Sequence, residues 1–135
     1  MTKHTIYAYV IPDDAAVDEA SMIRRVNEFI SSRQWLCPDV WAVNQKHESG
    51  DRELGLNIAL PKPYQEPIGW FSDIEAIVAL CVQLRHGFEC DFVLGIAENG
   101  TSHAEDIIEV ENDSPNILFL KKFIGIEPPS AAVQP

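Results

Sequence analysis

The chain has 135 residues, of which 46% are hydrophobic and 23% charged, and it carries a formal net charge of −11. This size and composition predict one folded domain rather than a disordered chain. The 21 acidic residues outnumber the 10 Lys and Arg, which disfavours a nucleic-acid binder because such a surface repels phosphates. No apolar run approaches the ~18 residues that a membrane span needs, so we expect no membrane contact.

The opening residues and the cysteines indicate the compartment. The stretch MTKHTIYAYVIPDD is too short in apolar residues for a signal peptide. Three cysteines, Cys37, Cys81 and Cys90, cannot all pair within one chain. Reduced thiols in a cytoplasm are the simplest interpretation.

The first half of the chain predicts a strand, a helix and a hairpin. Residues 5–11 are rich in Tyr, Val and Ile and predict a strand. Residues 15–33 carry apolar side chains three and four apart, as one face of a helix does. Residues 40–45 and 54–60 predict two strands joined at a Ser-Gly-Asp turn. The proline-rich residues 61–67 that follow predict an exposed loop.

The second half predicts a buried helix, a hairpin and a closing helix. In the first helix, over 72–86, Ser72 and Glu75 form a capping box and Gly87 marks the end. Strands over 92–97 and 106–111 flank Asn99-Gly100, a strong hairpin signal. A last helix over 116–124 has Ser114 as its predicted cap and ends at Gly125.

This order of elements predicts an α+β fold. The first six elements, β-α-β-β-α-β, match the ferredoxin-like split βαβ arrangement, an antiparallel sheet with two helices on one face. An extra C-terminal strand and helix complete the domain, which we place at residues 1–126. Residues 127–135, with three prolines in nine positions, predict a disordered tail.

Motifs for catalysis or cofactor binding are missing from the sequence. It contains no GxSxG elbow, no catalytic-cysteine signature and no glycine-rich phosphate loop. Cys37 precedes Pro38 in a loop and is a candidate for an exposed thiol, although nothing beside it lowers its pKa. Paired carboxylates suit acid–base catalysis by residue type, but here a turn and an alternating strand favour a solvated face. We therefore predict no enzyme and no cofactor.

One set of residues has the composition of a metal site. Cys81, His86 and Cys90 are three possible zinc ligands, and a closed site would need a fourth from Cys37 or His47. The alternative is that Cys81 packs in the core and His86 caps the C-terminus of its helix. We favour the alternative and predict no metal.

The unusual feature is the charge distribution. The chain between Arg85 and Lys121, here called the acidic interval, contains no Lys or Arg. Its eight acidic residues are Glu89, Asp91, Glu98, Glu105, Asp106, Glu109, Glu111 and Asp113. On the predicted hairpin Glu109 and Glu111 share one face, where a cationic partner would relieve their repulsion. The alternative is an acidic surface that serves solubility alone.

The end of the chain is similar to a known class of proteins. The segments FVLGIAENGT (92–101), AEDII (104–108) and NDSPNI (112–117) give a strand, a turn, an acidic strand and a helix. Over residues 90–126 this resembles small bacterial immunity proteins of polymorphic and contact-dependent inhibition toxins. The resemblance implies a cytoplasmic bacterial protein that binds and neutralises a cognate toxin domain, often a basic nuclease.

Such an inhibitor would present its carboxylates to the Lys and Arg of the toxin. The predicted contact residues are Asp91, Glu98, Glu105, Asp106, Glu109, Glu111, Asp113 and Tyr64. Trp41 and Trp70 are, with Tyr64, candidates for buried anchors of the interface, but for these aromatics we favour a place in the core. Two other functions stay open: an acidic secretion chaperone, and a small-ligand-binding or enzymatic α+β domain.

Overall fold

The described elements follow one another in the order β-α-β-β-α-β-β-α. The computed structural model describes residues 4–11, 17–46, 52–61, 65–98 and 104–124. The elements are β1 (His4–Val10), α1 (Glu19–Ser31), β2 (Asp39–Lys46), β3 (Arg52–Ala59), α2 (Phe71–Phe88), β4 (Phe92–Glu98), β5 (Ala104–Val110) and α3 (Ile117–Ile124). Predicted features that lie outside the described residues include the Ser-Gly-Asp turn over 49–51, the Asn99-Gly100 turn, the stop at Gly125 and the tail over 127–135.

The strands form one antiparallel sheet in the order β2-β3-β1-β4-β5. β1 is therefore central, and β2 and β5 are the two edges of the described sheet. The prediction of an α+β fold with an antiparallel sheet is confirmed. None of the described helices is long and apolar enough to cross a membrane.

The core lies between the helices and one face of the sheet, here called the inner face. Alternate residues of each strand point to the same side, so one apolar set per strand is buried. From the strands this set includes Ile6, Ala8, Val10, Leu54, Leu56, Ile58, Phe92, Leu94, Ile108 and Val110. The helices add Met22 and Val26 of α1, Ile74 and Ile77 of α2, and Leu120 of α3. Each such Leu or Ile stabilises the fold by about 1.5–3 kcal/mol.

The start of α2 differs from the prediction. The helix begins at Phe71, and its N-cap residue, Trp70, makes no side-chain cap hydrogen bond. Ser72 is exposed in the first turn, so the predicted capping box is wrong. A tight turn replaces it, because the amides of Ser72 and Asp73 donate to the carbonyls of Gly69 and Trp70 at 3.0 Å.

Two other helix ends also differ. α2 continues through Gly87 to Phe88, and Glu89 takes the left-handed conformation with φ 54° and ψ 50°. The predicted stop at Gly87 is therefore wrong by two residues. At α3 the side chain of Asn116 accepts from the amide of Phe119 at 3.0 Å, so Asn116 caps this helix in place of Ser114.

A buried carboxylate connects α2 to the loop before β2. Asp73 has no exposed surface, and it accepts from the amides of Leu36 and Cys37 at 2.7 Å and from Arg33 Nη2 at 2.8 Å. This contact buries Cys37, so the expectation of an exposed thiol is wrong. Burial, together with the charge of Asp73, raises the pKa of the Cys37 thiol.

Candidate binding face

The acidic residues of the C-terminal hairpin lie along β5, an edge strand. Glu105, Asp106 and Glu109 belong to β5 and are exposed. Glu98 ends β4, beside the start of β5, and Glu111 follows the other end of β5. The structure therefore brings these five carboxylates to one edge of the sheet. Tyr64, also predicted to contact a partner, lies outside the described residues.

A β-bulge decides which way Asp106 points. Leu94 pairs with Ile108, but the next pair along is Gly95 with Asp106, so Ile107 is the extra residue. Ile108 packs on the inner face. Simple alternation would put Asp106 on the inner face with Ile108. The bulge instead turns Asp106 to the opposite face of the sheet, here called the outer face. Asp106 and Glu109, three positions apart, thus share the outer face.

Two tyrosines of β1 occupy the centre of the outer face. The rings of Tyr7 and Tyr9 stack with their centroids 5.0 Å apart. The Tyr7 hydroxyl donates to Asp106 Oδ1 at 2.5 Å, and the Tyr9 hydroxyl donates to Asn57 Oδ1 at 2.6 Å. The Tyr7 ring crosses Gly95, where any Cβ would overlap it. The glycine thus provides the space through which a tyrosine of β1 reaches a carboxylate on β5.

Burial makes both phenols hard to ionise. Burial first, and then the hydrogen bond to Asp106, raises the pKa of Tyr7 above its usual range. Burial, followed by the charge of Glu53, raises the pKa of Tyr9 to about 12. Both hydroxyls are therefore donors at neutral pH, and they hold the side chains of Asp106 and Asn57 in place.

The register aligns outer-face residues in straight rows across the sheet. The first row consists of Trp41, Asn57, Tyr7, Gly95 and Asp106. The second row consists of Val43, Gly55, Tyr9, Val93 and Glu109. Trp41 is 39% exposed, so the core interpretation of this residue is wrong, whereas Trp70 is buried in the core. The outer face is therefore aromatic at its centre and at the β2 edge, and acidic along β5.

Not every acidic residue is available to a partner. Asp91 accepts from Arg85 Nε at 2.9 Å, and Asp113 Oδ1 lies 2.6 Å from His86 Nε2. Both contacts are at the end of α2. Part of the acidic interval thus makes contacts within the chain, and the candidate contact set reduces to Glu105, Asp106, Glu109 and Glu111.

The side chains of Glu109 and Glu111 interact with each other. The hydrogen bond with Glu111, and then the repulsion of its charge, raises the pKa of Glu109. The two side chains are therefore close enough to interact. Like charges held together in this way favour a cation beside them.

The end of α2 also borders a cavity. It has a volume of about 450 Å³ and is lined by Arg85, His86, Glu89, Cys90 and Asp91. The Arg85–Asp91 ion pair occupies its wall. Within the described part of the chain, no three His, Cys, Asp or Glu side chains are grouped to hold a metal ion. Cys81 of the predicted zinc set is buried in the core.

Sequence reasoning missed Tyr7 and Tyr9. Their signal was the alternation of residues 5–10, Thr-Ile-Tyr-Ala-Tyr-Val, in which both tyrosines fall on the side opposite Ile6, Ala8 and Val10.

Comparisons of the chain with protein-family models, curated proteins and solved structures give no match. The interpretation of this face therefore depends on its chemistry alone.

Proposed function

We propose that the chain is a non-enzymatic immunity protein that binds and neutralises a basic bacterial toxin domain. The observation that carries the proposal is the acidic interval, with eight acidic residues and no Lys or Arg. Five of its carboxylates lie along the β5 edge. A field of this sign attracts a basic protein and repels nucleic acid, so the partner is a protein.

The contacts support binding more than chemistry. The tyrosine hydroxyls are occupied as donors to Asp106 and Asn57. At the cavity beside the end of α2, Arg85 and Asp91 form an ion pair with each other. What the β5 side offers outward is exposed carboxylate, which suits the Lys and Arg that a nuclease uses to hold nucleic acid.

The test is protection of living cells. The chain is co-expressed with basic toxin domains encoded beside its gene, and cell survival is scored. Reversal of Glu105, Asp106, Glu109 and Glu111 to Lys should abolish protection and slow association, because steering and pairing are both lost. A circular dichroism spectrum equal to that of the parent shows that the variant is folded.

A control with the same net charge separates location from total charge. It reverses Glu28, Asp39, Glu66 and Glu75, four exposed acidic residues outside the acidic interval. We expect this variant to protect. If the folded β5 variant protects as well as the parent does, the acidic interval has no part in neutralisation and the proposal is wrong.

We further infer that the fold is ferredoxin-like. The order β2-β3-β1-β4, with one helix after β1 and another after β3, supports this assignment. β5 then extends the sheet beside β4, and α3 packs against β5. In this arrangement the acidic interval belongs largely to the C-terminal addition.

One observation favours a second candidate, an acidic secretion chaperone. α3 exposes apolar side chains, with Leu118 73% exposed and Phe119 and Phe123 in ring contact beside it. A chaperone of this kind would be a stable dimer with apolar surface for its client. Light scattering distinguishes the two, because the immunity protein is expected to be a monomer when its partner is absent.

A further inference from the structure

The outer face carries both carboxylates and an exposed aromatic ring, and both bind cationic groups. Carboxylates attract ammonium and guanidinium groups, and the face of an exposed aromatic ring attracts them as well. Asp106 and Glu109 lie at the β5 end of the two rows, and Trp41 lies at the β2 end of the first row. Tyr7 and Tyr9 lie between them.

The distance between the two ends follows from the register. Trp41 and Asp106 are four strands apart in one row, and adjacent strands are about 4.8 Å apart, so the row is about 19 Å long. An extended chain rises about 3.3 Å per residue. About six residues of extended chain therefore cover the row.

We propose that the outer face receives an extended, Arg- or Lys-rich segment of the protein partner, laid across the strands. One cationic side chain pairs with Asp106 and Glu109, and another, about six residues away, stacks on Trp41. This rests on the proposed function and names the surface and the kind of segment that it binds. The segment is basic because the rows offer carboxylates at one end and an aromatic ring at the other.

The roles of the named residues differ. Glu109 and Trp41 contact the segment directly. Tyr7 is a positioning residue, because its hydroxyl donates to Asp106 Oδ1 and fixes that carboxylate. Glu105, the neighbour of Asp106, pairs with Ile96 and points to the other side of β5, so the segment does not reach it.

Two peptides of identical composition test the spacing. Arg-Arg-Gly-Ser-Gly-Ser-Arg-Arg places its arginine pairs about six residues apart, as the row requires, and Arg-Arg-Arg-Arg-Gly-Ser-Gly-Ser keeps them together. Binding is followed by NMR at about 0.15 M salt, where charges are screened beyond about 8 Å. We call the peptide with separated arginine pairs the split peptide. We expect it to bind about threefold more tightly than the other, because it makes one added cation–π contact, and to shift the Trp41 indole N–H signal.

Matched variants locate the site on the outer face. Glu109→Gln and Glu105→Gln remove the same charge from the same strand on opposite faces, and only the first should weaken split-peptide binding. Trp41→Ala should remove the advantage of the split peptide, whereas Phe119→Ala, an exposed aromatic of α3, should keep it.

Equal binding of the two peptides, or equal losses from Glu105→Gln and Glu109→Gln, would overturn the inference. The peptides report on the face without any toxin. The cell-protection experiment tests the proposed function separately. A failure of the peptide experiment is therefore distinguishable from a failure of the proposed function.

Discussion

At the scale of single residues, the outer face depends on a position with no side chain. Gly95 lies between Tyr7 and Asp106 in the register, and the Tyr7 ring occupies the space that a Cβ would need. The carbonyl of Glu105 is also 2.5 Å from that Cβ position. A larger residue would therefore displace the ring or the strand.

We expect Gly95→Ala to lower the free energy of unfolding by about 2 kcal/mol or more, since overpacking moves backbone as well as side chain. The matched control is Gly87→Ala, because a Cβ there meets nothing within 4 Å in a helix. That change should raise stability by about 0.5–1 kcal/mol. Urea denaturation measures both, and equal effects would contradict the packing described for Gly95.

Tyr9 gives a prediction about pH. Its pKa of about 12 is above the usual value of 10.0, so the folded state favours the neutral phenol. The resulting stabilisation is complete below pH 10 and is lost as the pH rises toward 12. Absorbance titration of tyrosinate should show a component near pH 12 that Tyr9→Phe removes. Ionisation of this component near pH 10 would show that Tyr9 is not buried as described.

The residue-scale features differ in how far the sequence reveals them. The strand that contains Tyr7 and Tyr9 was predicted from its richness in Tyr, Val and Ile. The direction of Asp106 was not, because a bulge depends on how β5 meets β4, and the spacing of residues 104–110 does not encode it. The exposure of Trp41 likewise depends on β2 being an edge strand, a property of the sheet order.

At the scale of elements, α2 is positioned by tertiary contacts rather than by its own cap. The predicted capping box used Ser72 and Glu75, whose spacing matches the motif. Asp73, between them, instead points into the protein and accepts three hydrogen bonds from the segment between α1 and β2. Its partners are more than thirty residues away, so no local pattern could reveal them.

Adjacent substitutions at the start of α2 should therefore differ sharply. Ser72→Ala should change the free energy of unfolding by no more than about 0.5 kcal/mol, because Ser72 is exposed and caps nothing. Asp73→Asn should cost about 2–3 kcal/mol, because a buried charged acceptor with three donors is lost. Chemical denaturation of the two variants is the measurement. A large loss of unfolding free energy in Ser72→Ala would show that Ser72 does cap the helix.

The element boundaries show the same contrast. Five strands and three helices were predicted at nearly the right positions, because apolar periodicity determines which stretch is buried. The ends were less accurate, and the stop at Gly87 is an example. A glycine is well suited to end a helix, but here the left-handed position falls two residues later, at Glu89.

At the scale of the whole molecule, charge is unevenly distributed. α1 carries charges of both signs, Arg24 and Arg25 with Glu19 and Glu28, on the side of the sheet where it packs against β2 and β3. The β5 side carries the exposed carboxylates of the acidic interval. The charge asymmetry was visible in the sequence. The location of these carboxylates along one edge of the sheet could be known only from the strand order.

Self-repulsion on the β5 side should limit stability at neutral pH. The raised pKa of Glu109 means that its stabilising contribution is present at low pH and is lost as the pH rises through that pKa. We expect Glu109→Gln to raise the melting temperature at pH 7 but not at pH 3, where the wild-type Glu109 carboxyl is protonated. Glu75→Gln, on α2, should not raise it at either pH. A rise that persists at pH 3 would exclude repulsion as the cause.

The place of β5 at the sheet edge has a consequence for solubility. An edge strand presents unpaired backbone groups to which another chain can add, and side-chain charge is one of the means by which proteins prevent such growth. The carboxylates of β5 would thus hold back fibril formation as well as attract a ligand. A partner that neutralises them must also cover the strand, or the complex would become prone to aggregate.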